Sequence, residues 1–216
     1  MAACARVGRN PADVRMLGAS KFVPVERIAE AIACGLTEFG ENRAQELRQK
    51  QTFFEKHGCI VHFIGQLQTN KVKYVCGFAD TIQSLDRLVL AEALSARAAE
   101  LGCVQNVMIQ VNIGEEAQKG GIPVVDLKCF AQRVIDCGGL RIVGLMCVPP
   151  AVEPGAARLY YAKMRALRDM LNTDFPGEPI RELSMGMSHD FEAAIEEGAT
   201  IVRIGTGVFG ARRVCA

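Results

Sequence analysis

Short β-like runs alternate with helical patterns from one end of the chain to the other, and that alternation constrains the fold more than any single residue does. The runs are Val14 to Ser20, Glu38 to Gly40, Ile60 to Ile64, Thr81 to Ser84, Val107 to Val111, Leu140 to Leu145, Ile180 to Ser184 and Thr200 to Ile204. Helical periodicity lies between them. Val25, Ile28, Ala29 and Ile32 recur at i, i+3, i+4 and i+7 before Gly35. Arg43 to Lys56 reads as a polar-faced helix and Thr69 to Val75 as a short one. Asp86 reads as the N-cap of a helix that carries Leu90, Leu94, Ala98 and Leu101 on one face and stops at Gly102. Leu127, Phe130, Ala131 and Val134 mark the next helix, Tyr160, Met164, Leu167 and Leu171 another, and Phe191 to Glu197 a short one. Eight such units predict an α/β chain folded as a single (β/α)8 TIM-type barrel over residues 1–216, closed so that no sheet edge is exposed. At 216 residues the chain is short for that fold. A doubly wound open sheet is the alternative that periodicity leaves standing. Met1 to Val7 supplies only a stub of helix. A barrel lacking its last outer helix would leave an apolar flank, to be covered by a longer N-terminus or by an oligomer.

Composition narrows the function. The formal net charge is +1, with acids and bases interspersed, so neither a nucleic-acid footprint nor a polybasic membrane patch is expected. No apolar run approaches the roughly 20 residues that span a bilayer. Nine cysteines without C-x-x-C spacing, mostly inside apolar segments, suggest reduced thiols and a cytoplasmic chain. His57, His62 and His189 are scattered, so no metal site is expected.

In a barrel of this kind the chemistry gathers at the carboxyl ends of the strands. Those ends bring Ser20-Lys21, Gly40-Glu41-Asn42, Gly65-Gln66, Ser84, Asn112, Met146, Ser184 to Ser188, and Arg203 with Gly205-Thr206-Gly207 to one face. One lysine, one arginine and many small polar residues suit a small anionic ligand. A lysine amine in a dehydrated apolar mouth loses its proton more readily than in water and can then attack an aldehyde. The last two loops have the composition of a phosphate cradle, although Asp190 and Glu192 would oppose an anion at the helix beginning near Phe191. Each feature has a plainer reading. Lys21 could be a salt-bridge partner, Gly205-Thr206-Gly207 a turn, Ser184 and Ser188 turn or cap residues, Asn42 a helix N-cap, Arg203 the partner of Glu182, and His62 a hydrogen-bonded core residue. Their coincidence at one face favours a site.

The strings Ala19-Ser20-Lys21, Phe39-Gly40-Glu41-Asn42, His62-Phe63-Ile64-Gly65 with Leu67 to Lys71, Gly144-Leu145-Met146, Leu183 to Ser188, and Val202 to Thr206 with Phe209-Gly210 occur in order along the chain. Together the chain resembles the pyridoxal phosphate homeostasis protein family. The resemblance implies an alanine-racemase-like barrel that holds pyridoxal 5′-phosphate (PLP). Lys21 would be the Schiff-base lysine. Ser184, Gly205 and Thr206 would hold the phosphate with Ser188 nearby, Arg203 would face the pyridine nitrogen, and Asn42 and His62 would line the cavity. Gln66, His189 and the Phe22-Val23 pair depart from the family pattern, which bears on pocket polarity and rim contacts.

The implied Arg203 argues for a holder. PLP enzymes use the ring as an electron sink, and a guanidinium cannot accept the proton that an acid would place on the ring nitrogen. A two-base racemase needs a second proton-transfer group, and Tyr74, Tyr160 and Tyr161 all fall on helices. The expected function is a non-catalytic PLP-binding protein that maintains intracellular PLP, a monomer or weak dimer, with PLP-requiring apo-enzymes as the recipients the resemblance implies. A small amino-acid racemase and a cofactor-free Schiff-base aldolase acting on a sugar phosphate are the competing readings.

Overall fold

The computed structural model describes residues 1–210 apart from 117 and 178. Cys215 and the tail of the expected 1–216 domain lie outside them. Eight parallel strands close into a barrel in sequence order: β1 (Arg15–Ala19), β2 (Glu38–Glu41), β3 (Ile60–Phe63), β4 (Thr81–Leu85), β5 (Gln105–Gln110), β6 (Leu140–Met146), β7 (Glu182–Met187) and β8 (Ile201–Ile204). Closure is made by β1 on β8, with Leu17 opposite Arg203. The open-sheet alternative is thereby excluded, and the chain is a (β/α)8 barrel.

The helices are α1 (Ala2–Arg6), α2 (Val25–Ala33), α3 (Ala44–Lys56), α4 (Leu88–Leu101), α5 (Leu127–Cys137), α6 (Pro154–Asp174), α7 (Phe191–Glu196) and α8 (Thr206–Phe209). A 3-10 segment, Thr69–Tyr74, makes the crossover from β3 to β4. α1 packs against α7, burying Ala3 and Cys4 while Arg6 bonds Glu192 at 2.6 Å and Glu196 at 2.5 Å.

Two local expectations are corrected. Arg87, not Asp86, is the N-cap of α4, and it makes no side-chain cap bond. The Asp86 carboxylate instead accepts from Arg87 Nη1 at 2.5 Å. β7 begins at Glu182 rather than Ile180, because the Asn172 amide takes both backbone groups of Ile180, at 2.8 and 2.9 Å, in place of a neighbouring strand.

Strand alternation sorts the side chains into two cores. Phe39, Val61, Phe63, Ile82, Val107, Ile109, Leu145, Leu183 and Val202 are buried in the main cluster with the helices. Leu17, Met108, Met146 and Ile201 form a small separate cluster inside the barrel. Beside them the interior is polar. Glu38, His62, Gln83, Ser184 and Arg203 are all buried, so hydrogen bonding has to fill this part of the barrel.

Candidate ligand cavity at the strand ends

A cavity of about 380 Å³ opens at the carboxyl ends of the strands. Lys21 follows β1, Asn42 follows β2, Ser188 and His189 follow β7, Arg203 lies on β8, and Gly205 and Thr206 follow it; all line this one space, with Ile64, Val148 and Met187 among its apolar walls. The fold thus gathers six of the eight residues expected at the site. Gly205 packs on Ala19, since a Cβ there would stand 3.6 Å from the Ala19 Cβ. A Cβ at Gly207 would stand 3.9 Å from Ser188 Oγ. The last two loops therefore face each other, and Gly205 abuts Ala19, the last residue of β1, two residues before Lys21.

Ser184 and His62 are placed differently. Neither is among the lining residues. Ser184 is fully buried, donating from Oγ to Gln83 Oε1 at 2.6 Å and accepting from Arg203 Nη1 at 2.8 Å. His62 Nδ1 lies 2.9 Å from Gln83 Nε2, while its Nε2 stands 3.3 Å from Glu38 Oε2 without hydrogen-bond alignment. Both residues occupy the barrel interior, where strand alternation turns them. Ser184 thus lies directly behind Arg203, and His62 one step further in through Gln83.

The plainer reading of Arg203 also fails. Glu182 pairs with Arg15 at 2.9 Å and accepts from Thr200 Oγ1. The Arg203 guanidinium bonds Ser184 Oγ and the Cys147 carbonyl, the latter at 2.7 Å. Burial lowers its pKa from the ordinary value, yet a guanidinium remains a cation at working pH. A buried cation held by neutral acceptors favours an electron-rich partner in the cavity.

Asn42 is no helix cap, because α3 takes Arg43 as its N-cap. Its Oδ1 is buried without a hydrogen-bond partner among the described residues. An unsatisfied buried acceptor at a cavity wall costs free energy that a ligand or water can recover. The acids expected to oppose an anion are already engaged. Asp190 accepts from Tyr161 Oη at 2.7 Å and from the Met187 amide at 2.6 Å, and Glu192 pairs with Arg6.

Behind Lys21 lies a buried ionic cluster that the sequence did not announce. Lys50 of α3 reaches Glu41 at 2.8 Å, Glu46 at 2.7 Å and the Ser20 carbonyl at 2.9 Å. Burial pushes the Glu41 carboxyl above the usual carboxylate range, against the pull of Lys50 and of the Ser20 hydroxyl. Only the i, i+4 spacing of Glu46 and Lys50 could have hinted at it.

Comparison with known proteins agrees with this architecture. Residues 16–213 match the alanine racemase N-terminal domain family. A pyridoxal phosphate homeostasis protein of Aquifex aeolicus is 48% identical over 212 residues, covering 98% of this chain and 92% of that one.

The chain belongs to the pyridoxal phosphate homeostasis protein family.

The Escherichia coli K12 member of that family is 42% identical over 216 residues, covering 98% of this chain and 91% of its own. PipY from Synechococcus elongatus PCC7942, solved with PLP bound, superposes with a TM-score of 0.85 at 34% identity, covering 97% of this chain and 98% of PipY. An alanine racemase of Clostridium difficile shares the fold, with a TM-score of 0.68 at 13% identity over 99% of this chain and 55% of that one. Pyridoxal phosphate homeostasis proteins and alanine racemases are thus built on the same barrel.

Proposed function

We propose that this chain binds PLP, holds it covalently on Lys21, and serves as a store that limits the free aldehyde and returns it to apo-enzymes, with little catalysis of its own. One observation carries the reading. Among the described residues, a strand-end lysine, an unsatisfied asparagine oxygen, a buried arginine held by neutral acceptors and two facing small-residue loops line a single cavity. Those residues fit the chemistry of the group. Ser188, Thr206 and the backbone around Gly205 supply donors for a phosphate. Arg203 supplies a donor to a ring nitrogen and cannot take its proton. The Lys21 amine adds to an aldehyde and releases one water, leaving a C=N bond. Bound PLP would supply an aldehyde for that bond and a ring able to withdraw electrons.

The limits on catalysis come from the chain's own residues. Arg203 would leave the nitrogen of a ring bound against it unprotonated, which would weaken electron withdrawal. Among the described residues, no tyrosine lines the cavity. The Tyr161 phenol is tied to Asp190, and burial together with that carboxylate pushes its pKa upward. The full length of the described barrel would then serve binding, in a cytoplasmic setting.

A visible-range spectrum of protein mixed with PLP tests the proposal. An imine band should form, borohydride should fix it on Lys21, and Lys21→Ala should abolish it. A band that persists in Lys21→Ala overturns the covalent role. Rapid solvent-deuterium exchange at the α-carbon of alanine, above the rate with free PLP, would favour a racemase. Trapping that requires a sugar phosphate and no PLP would favour an aldolase.

A further inference from the structure

The Gly-Glu-Asn segment contributes Asn42 to the cavity wall, but Glu41 points the other way, toward α3. There Lys50 spends all three of its N–H donors on Glu41 Oε1, Glu46 Oε1 and the Ser20 carbonyl, at 2.8, 2.7 and 2.9 Å. Ser20 Oγ also donates to Glu41 Oε1 at 2.7 Å. Glu46 Oε1 accepts a further bond, from the Phe22 amide at 2.6 Å. The Ser20 carbonyl belongs to the peptide group that enters Lys21, and the Phe22 amide to the one that leaves it. Both peptide planes around the Lys21 Cα are therefore anchored to one buried ammonium, the first directly and the second through Glu46. Phe22 is held at φ 61°, in the left-handed region, which a bulky residue adopts only when its surroundings impose it.

We propose that Lys50 is the positioning residue of the Lys21 turn, with Glu46 as its relay. It fixes the Lys21 backbone so that the amine is presented to the cavity in a narrow range of directions. The inference rests on the reading of Lys21 given above. A simple ion pair joining β2 to α3 would need only Glu41 and Lys50. It would not require the ammonium to reach the end of β1, nor the relay to bond the amide beyond Lys21. Holding a nucleophile in one orientation raises its rate of addition without altering its chemistry.

Three variants test this. Lys50→Met alone would leave the Glu41 carboxylate buried without its cation, so the charge-neutral double variant Glu41→Gln/Lys50→Met is used. Glu46→Leu removes the relay while leaving the Glu41–Lys50 pair intact. Glu46→Gln keeps a carbonyl oxygen for both donors. In the protein without added PLP, hydrogen exchange at the Phe22 amide should rise about tenfold in the double variant and in Glu46→Leu. On mixing with PLP, imine formation at Lys21 should slow by about tenfold in the same two proteins, and Glu46→Gln should restore both readouts. Absence of an imine in the wild-type protein would sink the reading of the cavity itself. A wild-type imine that forms equally fast in Glu46→Leu and in the double variant, with unchanged Phe22 exchange, would sink the role of Lys50 alone.

Discussion

Ser184 Oγ accepts a hydrogen bond from Arg203 Nη1 at 2.8 Å, and because an arginine can only donate, this contact sets the direction of everything behind it. The Ser184 proton must go to Gln83 Oε1 at 2.6 Å. The Gln83 amide nitrogen is then left to donate to His62 Nδ1 at 2.9 Å. That assigns the ring proton of His62 to Nε2, facing Glu38. Arg15 closes the line at the solvent end, 3.3 Å from Glu38. A polar file thus runs through the barrel interior from the cavity toward the amino ends of the strands.

Gln83→Leu cuts the file at its middle. Two buried groups would lose their partner, the Ser184 proton and His62 Nδ1. The expected cost is about 1–3 kcal/mol, read as a lower urea midpoint at unchanged m-value. An unchanged midpoint would show that the interior tolerates the break.

Glu38 gives the file a pH signature. Burial works to raise its pKa, but His62 and Arg15 more than offset this, and the carboxyl titrates below its ordinary value. A depressed carboxylate stabilises the fold above its unfolded-state pKa, and that contribution disappears as pH falls through the folded value. Glu38→Gln should therefore be less stable than wild type at neutral pH, with the gap closing below about pH 4. Denaturation midpoints collected across pH 3–7 (roughly the carboxylate range) would show it, and a gap independent of pH would contradict it.

Gly65 is required by the close approach of the segment after β3 to the Asn42 backbone. A Cβ at this position would stand 2.1 Å from the Asn42 carbonyl oxygen and 2.7 Å from its Cα. Gly65→Ala must push that backbone away, at an expected cost of about 1–3 kcal/mol. Because Asn42 lines the cavity, PLP retention should fall together with thermal stability. Loss of stability with full retention would detach Asn42 from binding.

Thiol reactivity should follow burial. Burial pushes the Cys147 thiol up to about 12 and Cys76 up to about 11, so almost no thiolate is available at either under mildly alkaline conditions. Cys34 and Cys129 are exposed. An aromatic disulfide reagent applied to native protein at pH about 8 should, among the cysteines of the described residues, modify Cys34 and Cys129 first, with Cys147 and Cys76 reacting only on unfolding. Mapping the labelled peptides by mass spectrometry checks the order.

All eight strands could be read from the chain, because short β-like segments alternate regularly with helices that carry an apolar stripe. Lys21, Asn42, Arg203 and the Gly205-Thr206 loop could be placed at a common mouth because strand ends in a closed barrel converge whatever the loops do. Closure itself was not determined locally, since an open sheet uses the same strands and helices. It came from the pairing of β1 with β8. The positions of Ser184 and His62 were also beyond the sequence. Each sits on a strand ending at the cavity, but which face a side chain takes, and how deep it lies, depends on the strand's register with its neighbours. Lys50 was the most hidden of all. Its partners Ser20, Glu41 and Glu46 come from the ends of two strands and from a helix, and only the packed barrel brings their oxygens within reach of one ammonium.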